Sequence, residues 1–236
     1  KIVKSKSMVS EESALDLAIE GAGLEVVETD LGEYILQING YEPPSHIVGP
    51  ALHKSKEEVT ELFHRRHGTP RKDGIEDLCR EARAVLREHY LTADMGISGG
   101  NFFVAETGSV VLVTNEGNAS LATTLPKVHV AISGIEKIVP TLEDVATLMR
   151  LLPRSATGQS ISNYVDVLTG TRGEGEFHGV DNMYFILVDS GRTGVLASEV
   201  REALRCIRCG ACMNHCPVYQ AGGGQSYGWV YPGPIG

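Results

Sequence analysis

Apolar residues recur along the chain at two spacings, and the alternation between them sets the expected architecture. Residues 55–66 and 75–90 carry apolar side chains at helical spacing, the second through Ile75, Leu78, Ala82, Val85, Leu86 and Tyr90, so each should lay one face on a sheet. Ile2-Val3 reads as the end of a strand, and Ser10, followed by Glu11, Glu12 and the apolar Leu15, Leu17, Ala18 and Ile19, as a capped helix. Two short β-rich stretches, LEVVETD (24–30) and YILQI (34–38), lead into a turn at Pro43-Pro44. FFVAE (102–106) and VVLVTN (110–115) flank TGS as two strands around a tight turn, and VHVAIS (128–133) and MYFILVD (183–189) are further strands. Pro140-Thr141 opens a helix running to Leu152. Residues 153–181 are rich in Gly, Ser and Thr without a clear period, and a loop of that length is more often functional than idle. From Ser198 a helix carries Val200, Leu204 and the first cysteine of a dense run, and AGGGQ (221–225) breaks the chain into a Pro/Gly-rich tail. Strands alternating with helices predict an α/β core.

Composition narrows the function classes. The chain has 236 residues, 42% hydrophobic and 22% charged, enough to bury a core as one large domain or two smaller ones. A net charge of −9 with no basic stripe argues against a nucleic-acid partner. The longest apolar runs, VVLV at 110–113 and YFILV at 184–188, are strand-sized and far short of a transmembrane segment. The chain opens on KIVKSKSM with a strand already under way, which reads as an excised fragment. Ligand-spaced cysteines without a secretory segment point to the cytoplasm, where disulfides are rare.

Of five cysteines, four lie within eleven residues. Cys206, Cys209, Cys212 and Cys216 follow C-x2-C-x2-C-x3-C with Pro217 next, the run that supplies thiolates to 4Fe-4S clusters. Soft sulfur suits such iron, and two-residue gaps let a wrapping backbone bring three sulfurs around one cube. Zinc more often takes two C-x-x-C knuckles separated by a longer loop. In two-cluster ferredoxins the fourth cysteine of such a run serves the other cluster, so each cluster needs a second run. This chain holds none, and the expectation is an incomplete metal site whose remaining ligands lie beyond Gly236. Cys79, beside Leu78 and Ala82, is expected in the core. His215, inside the run, is expected to cover or tune the cluster.

Other chemistry is weaker. Lys4, Ser5, Lys6 and Ser7 stand between a strand and a helix start, where free N–H groups favour a small anionic ligand; a solvated helix entry is the bland reading. GISGGNFFVAETGS (96–109) fits neither the dinucleotide fingerprint nor the P-loop. Asn101, Glu106, Asn115, Glu116 and Asn118 are polar residues at strand ends, where open α/β sheets bind ligands, though turns use the same residue types. His64 and His67 are expected on a solvated helix face, and His129 lies in a strand.

KSKSM, EVVETDLGEYILQI, PSHIVGPALH, GISGGNFFVAETGSVVLVTNEGN, KVHVAISGIEKIVPTLED and the cysteine run together resemble the lactate utilisation iron–sulfur (LutB) family over essentially the whole chain. The resemblance implies a LUD domain, a three-layer Rossmann-like α/β fold similar to sugar-phosphate isomerases and CoA transferases, followed by a short helical ferredoxin-type segment. On that basis we expect the LUD domain at 1–197, the incomplete cysteine segment at 198–221 and a truncated tail at 222–236. The resemblance also implies two 4Fe-4S clusters in the longer protein, absent or incomplete in this fragment. Cys206, Cys209 and Cys212 would serve one cluster and Cys216 its neighbour. It further implies a cytoplasmic role in oxidising L-lactate to pyruvate with partner subunits of a complex. Two readings compete: an electron-transfer subunit resting on the cysteines, and a catalytic or ligand-binding LUD domain acting on a carboxylate, CoA ester or phosphorylated ligand. In the second, Glu106 would be base or nucleophile and the Lys4–Lys6 loop an anion clamp. A blander reading makes the domain a scaffold.

Overall fold

Strand β1 (Ile2–Lys4) is buried along its whole length, and a sheet grows from it in both directions. The structure, a computed structural model, describes residues 1–233, so the last three residues of the expected tail lie outside the described residues. After β1 come α1 (Met8–Glu12), α2 (Leu15–Gly21), β2 (Val26–Glu28), α3 (Leu31–Ile38), α4 (Lys56–His67) and α5 (Ile75–Thr92). The middle of the chain supplies β3 (Met95–Ser98), β4 (Phe102–Val104), β5 (Ser109–Thr114), α6 (Asn118–Thr124), β6 (Val128–Gly134) and β7 (Ile138–Val139). Then follow α7 (Leu142–Met149), α8 (Leu152–Thr157), β8 (Tyr164–Leu168), β9 (Asn182–Val188), α9 (Arg192–Leu196), α10 (Ala211–His215) and α11 (Pro217–Gly222).

Five parallel strands in the order β2-β1-β3-β6-β9 form the main sheet. Adjacent residues of β1 face opposite layers. Val3 packs with Val27, Tyr34, Phe63, Leu86 and Tyr90 under α3, α4 and α5, while Ile2 packs with Val26, Val9, Ile19 and Ile97 under α1 and α2. The result is three layers with an α/β core, as the alternation of elements implied. Helix α6 crosses β3 so closely that a Cβ on Gly96 would stand 1.7 Å from the Ala122 carbonyl oxygen. Only glycine fits there.

A second sheet, β7-β4-β5-β8, is mostly antiparallel. One face, through Phe103, Val110 and Leu112, packs with Ala119 and Ala131 of the main body. The other, through Phe102, Val104 and Val111, is covered by Val145 and Leu152 and by Ile207 and Cys209 of the cysteine segment. The two edges of the main sheet differ. The Gln37 side chain accepts from the Glu28 N–H at 2.9 Å and donates to the Val26 carbonyl at 3.0 Å, occupying the free edge of β2. Tyr184, Phe185, Ile186 and Leu187 of β9 remain exposed.

Several expectations need correction. YILQI is helical, because Tyr34 and Ile35 then share a buried face and Gln37 reaches back to β2. The cap of the first helix is Ser7, whose side chain accepts from the Ser10 N–H; Ser10 lies inside α1, and Ala14, with φ 51°, breaks the run into two helices. The single helix expected after Pro140 is likewise two, α7 and α8, and the stretch 153–181 contains β8. The expected helix at Ser198 is a short 3-10 turn over Arg201–Arg205. Cys79 is exposed: α5 buries Leu78, Ala82, Leu86 and Tyr90 on one stripe, and Cys79 lies about 100° round from it.

Candidate functional site

Lys4, which ends β1, and the three residues after it are sent to different environments. Lys4 is fully buried, and its ammonium lies 2.5 Å from Glu28, 3.5 Å from Asp16 and 3.6 Å from Glu11, and donates to Ser10 Oγ at 3.0 Å. Burial opposes its charge, but the three carboxylates outweigh burial and raise its pKa. Oxygens of those three acids lie within 4.8 Å of one another, the spacing of a cation site, and Lys4 supplies the cation. It therefore faces away from any ligand, contrary to expectation. Ser5, Lys6 and Ser7 line a cavity of about 340 Å³ instead.

This cavity lies where the chain leaves the C-terminal ends of β1 and β3 and meets the second sheet, the switch point at which open α/β sheets bind ligands. At one end Lys6 bonds Glu33 and the Val48 carbonyl, each at 3.1 Å, and its N–H donates to Asp30 at 2.7 Å. Burial, with Glu33 next, pushes the Asp30 carboxyl up to about 7, and burial also raises Glu116. Asn101 and Asn115 both reach the wall. Asn101 Oδ1 accepts from the Val113 N–H at 2.8 Å, and Asn115 donates to Gln159 at 2.8 Å and accepts from the Asn163 N–H at 3.1 Å. Both asparagines thus shape the wall. Glu106 does not line the cavity; it is exposed and accepts from the Leu142 N–H at 2.8 Å, capping α7.

The other end holds residues that sequence reasoning missed: Glu136, Lys137, Arg208 and Tyr231. Lys137 donates to the Cys206 carbonyl at 2.9 Å, and burial lowers its pKa to about 8. The Arg208 guanidinium lies 3.9 Å over the Tyr231 ring and 3.8 Å from Glu136. Arg192 grips Glu12 at 3.0 and 2.7 Å and meets Glu136 at 2.6 Å, while Tyr231 Oη donates to Glu12 at 2.7 Å. These contacts tie the turn after β6, α1, α9, the cysteine segment and the tail into one ionic network. The available signals were charged residues just past a strand end and an arginine between two cysteines.

Arg208, with φ 60°, and Gly210, with φ 77°, bend the backbone of the cysteine segment through left-handed conformations. Burial, and then Cys206 and Cys209, raises the Cys212 thiol above its ordinary pKa. Cys216 stands apart in its contacts: its sulfur lies 3.2 Å from Tyr227 Oη, which holds the thiol below its ordinary pKa, and Tyr227 is itself pushed up to about 12. Four thiols in this spacing, the last with its own phenolic partner, fit the donor set of a two-cluster run. His215 is exposed at the end of α10. His64 and His67 are not solvated: His64 Nδ1 meets the Thr69 carbonyl at 2.6 Å, and His67 bridges Tyr34 Oη at 2.8 Å and Glu81 at 2.7 Å. His129 is buried against Ser98 Oγ at 2.8 Å, and burial lowers it to about 4.

Comparison with known proteins gives matches along nearly the whole chain. The LUD domain matches residues 2–188, and the 4Fe-4S dicluster domain matches residues 202–236. Lactate utilization protein B from Geobacillus sp. (strain WCH70) and from Geobacillus kaustophilus (strain HTA426) are each 54% identical to it over 236 residues, and that from Lysinibacillus sphaericus (strain C3-41) is 52% identical. Each alignment covers 100% of this chain and 50% of the relative. The chain therefore spans about half the length of the curated relatives it matches. Among solved structures, a DUF162 family protein from Deinococcus radiodurans aligns over 43% of this chain and 57% of that one, with 21% identity and a TM-score of 0.33. Among the described residues no helix is long and apolar enough to cross a membrane.

Proposed function

The chain belongs to the LUD domain family and carries a 4Fe-4S dicluster segment, and on that premise we propose that it is an iron–sulfur electron-transfer subunit of a cytoplasmic complex oxidising L-lactate to pyruvate. The observation that carries this reading is the run of Cys206, Cys209, Cys212 and Cys216, with Cys209 packed on the second sheet and Cys216 held separately by Tyr227. The first three would hold one cluster and Cys216 would serve the next. Bound clusters supply one-electron carriers, which suits an oxidation that releases two electrons and two protons per lactate.

The chain's own residues position that segment. Ile207 and Cys209 pack into the apolar core of the second sheet, which keeps water from that side. Lys137 holds the Cys206 carbonyl, and Tyr227 hydrogen-bonds the Cys216 sulfur, the kind of contact that tunes a ligand. Cys209→Ser in the assembled complex should abolish lactate-dependent reduction of the electron acceptor while the subunits still copurify. Full activity in that variant would overturn the reading.

A second reading, a LUD domain that itself binds a carboxylate, CoA ester or phosphorylated ligand, is favoured by the cavity at the sheet's switch point. Its catalytic form through Glu106 gains no support from that residue's place, since the carboxylate caps α7 outside the cavity. Glu106→Gln should leave the oxidation rate within about twofold of wild type, whereas a loss of several orders would restore Glu106 as base or nucleophile.

A further inference from the structure

The cavity and the cysteine segment share a wall. Ile207 and Arg208, the two residues between the first and second thiols, line the cavity, as do Lys137, which holds the Cys206 carbonyl, and Tyr231 of the tail. A molecule in this cavity would touch the same residues that fix the cysteine loop. The volume, about 340 Å³, lies in the lower range of small-molecule sites, roughly 300–1,000 Å³.

Charge and shape narrow the ligand. At this end Lys137, Arg208 and Arg192 face Glu12 and Glu136, leaving one positive charge in surplus. Arg192 hydrogen-bonds Glu12 at 2.7 Å and ion-pairs with Glu136 at 2.6 Å, and the Tyr231 hydroxyl is spent on Glu12. Among the described residues Arg208 donates no hydrogen bond; it only stacks on Tyr231 and stands 3.8 Å from Glu136. A guanidinium that pairs with Glu136 only at 3.8 Å keeps its hydrogen-bond donors free, and its planar fork matches a carboxylate. Arg208 is held at φ 60°, a left-handed conformation that an arginine keeps only where its surroundings sustain it. Val9, Leu112, Ile132 and Leu152 give the rest of the wall an apolar surface suited to a carbon skeleton. The acids on the opposite side, Asp30 and Glu116, disfavour a multiply charged phosphate.

We propose that this cavity binds a small organic monocarboxylate, with Arg208 and Lys137 as its anion clamp, and that binding is coupled to the redox state of the cysteine segment. The coupling rests on the electron-transfer reading above; the binding site does not. A bound negative charge beside the first three thiols disfavours adding an electron there, so reduction weakens binding and binding lowers the midpoint potential, reciprocally. A tenfold difference in affinity corresponds to 59 mV for a one-electron couple.

The test uses the full-length protein after anaerobic reconstitution, with iron measured on every sample. Calorimetric titration with L-lactate and with pyruvate should show binding, while lactamide, the uncharged analogue, and inorganic phosphate should bind at least tenfold more weakly. Arg208→Gln should weaken carboxylate binding at least tenfold. Ala156→Trp, which fills the cavity from α8 without touching a thiol, should abolish it. In the iron-loaded protein the carboxylate should lower the potential of one cluster and leave that of Ala156→Trp unchanged. Equal binding by wild type and Ala156→Trp, or lactamide and phosphate binding as tightly as lactate, would overturn the proposal. The two readings fail separately. Iron-loaded protein that binds no carboxylate removes the site alone, and iron-free protein that binds one removes the electron-transfer reading alone.

Discussion

The Lys4 nest and the cysteine run both gather ionisable groups that repel when charged, and they resolve the conflict differently. Around Lys4, three carboxylates converge on an ammonium supplied by the same chain, and the cluster closes without help. Around Cys212, Cys206 and Cys209 only oppose its ionisation, and no hydrogen bond or ion pair from a cation to any of the four sulfurs is found among the described residues. A cluster of donors is structural when the chain provides the opposite charge, and it is a ligand site when the chain withholds it. His129 is a third case: buried with no charged partner, it gives up its own charge.

The largest expected effect comes from removing the internal cation. Lys4→Met leaves three carboxylates without their partner and should cost about 3–5 kcal/mol, read from the urea midpoint. A loss under about 1 kcal/mol would mean that the acids neutralise themselves and that the contrast with the cysteines is false.

His129 should give the next effect. Its pKa is depressed from 6.5 to about 4, so the unfolded chain binds a proton that the fold excludes. Stability is therefore intact above about pH 6.5 and falls by about 3 kcal/mol as pH drops to 4. Unfolding curves across that window should show the loss, and His129→Gln should flatten it.

Tyr227→Phe should act more locally. Without the phenolic donor the Cys216 thiol loses its main stabilisation, and its alkylation by iodoacetamide should move to higher pH with no change in urea midpoint. An unchanged pH profile would remove Tyr227 as the partner that sets Cys216 apart. The smallest effect belongs to Cys79→Ser, which should alter stability by less than about 0.5 kcal/mol and leave iron content untouched, because the side chain is exposed.

Much of this was legible from residue order. The spacing of Cys206, Cys209, Cys212 and Cys216 carries its chemistry in sequence, because three ligands of a cluster in such a run come from one wrapping turn. Helices α4 and α5 were legible because long amphipathic stripes have a period no strand shares. YILQI was misread because its apolar residues suit either state, and a side-chain bond from Gln37 across nine residues decides the matter. Lys4 and Lys6 looked alike in KSKS, yet Lys4 is the last residue of β1 and turns into the carboxylate nest, while Lys6 lies past the strand end and lines the cavity. The Lys137–Arg208–Tyr231 end was hidden because residues from the turn after β6, the cysteine segment and the tail meet only after folding.

The most direct measurement is iron and acid-labile sulfide per 236-residue chain after anaerobic reconstitution, for wild type and for Cys209→Ser and Cys216→Ser. If three thiols share one cluster and the fourth serves another, wild type should hold a labile, partial complement well below four irons, which Cys209→Ser removes and Cys216→Ser leaves unchanged. About four irons and four sulfides per chain, lost equally in both variants, would mean that the four thiols close a single cluster and would contradict the division between them.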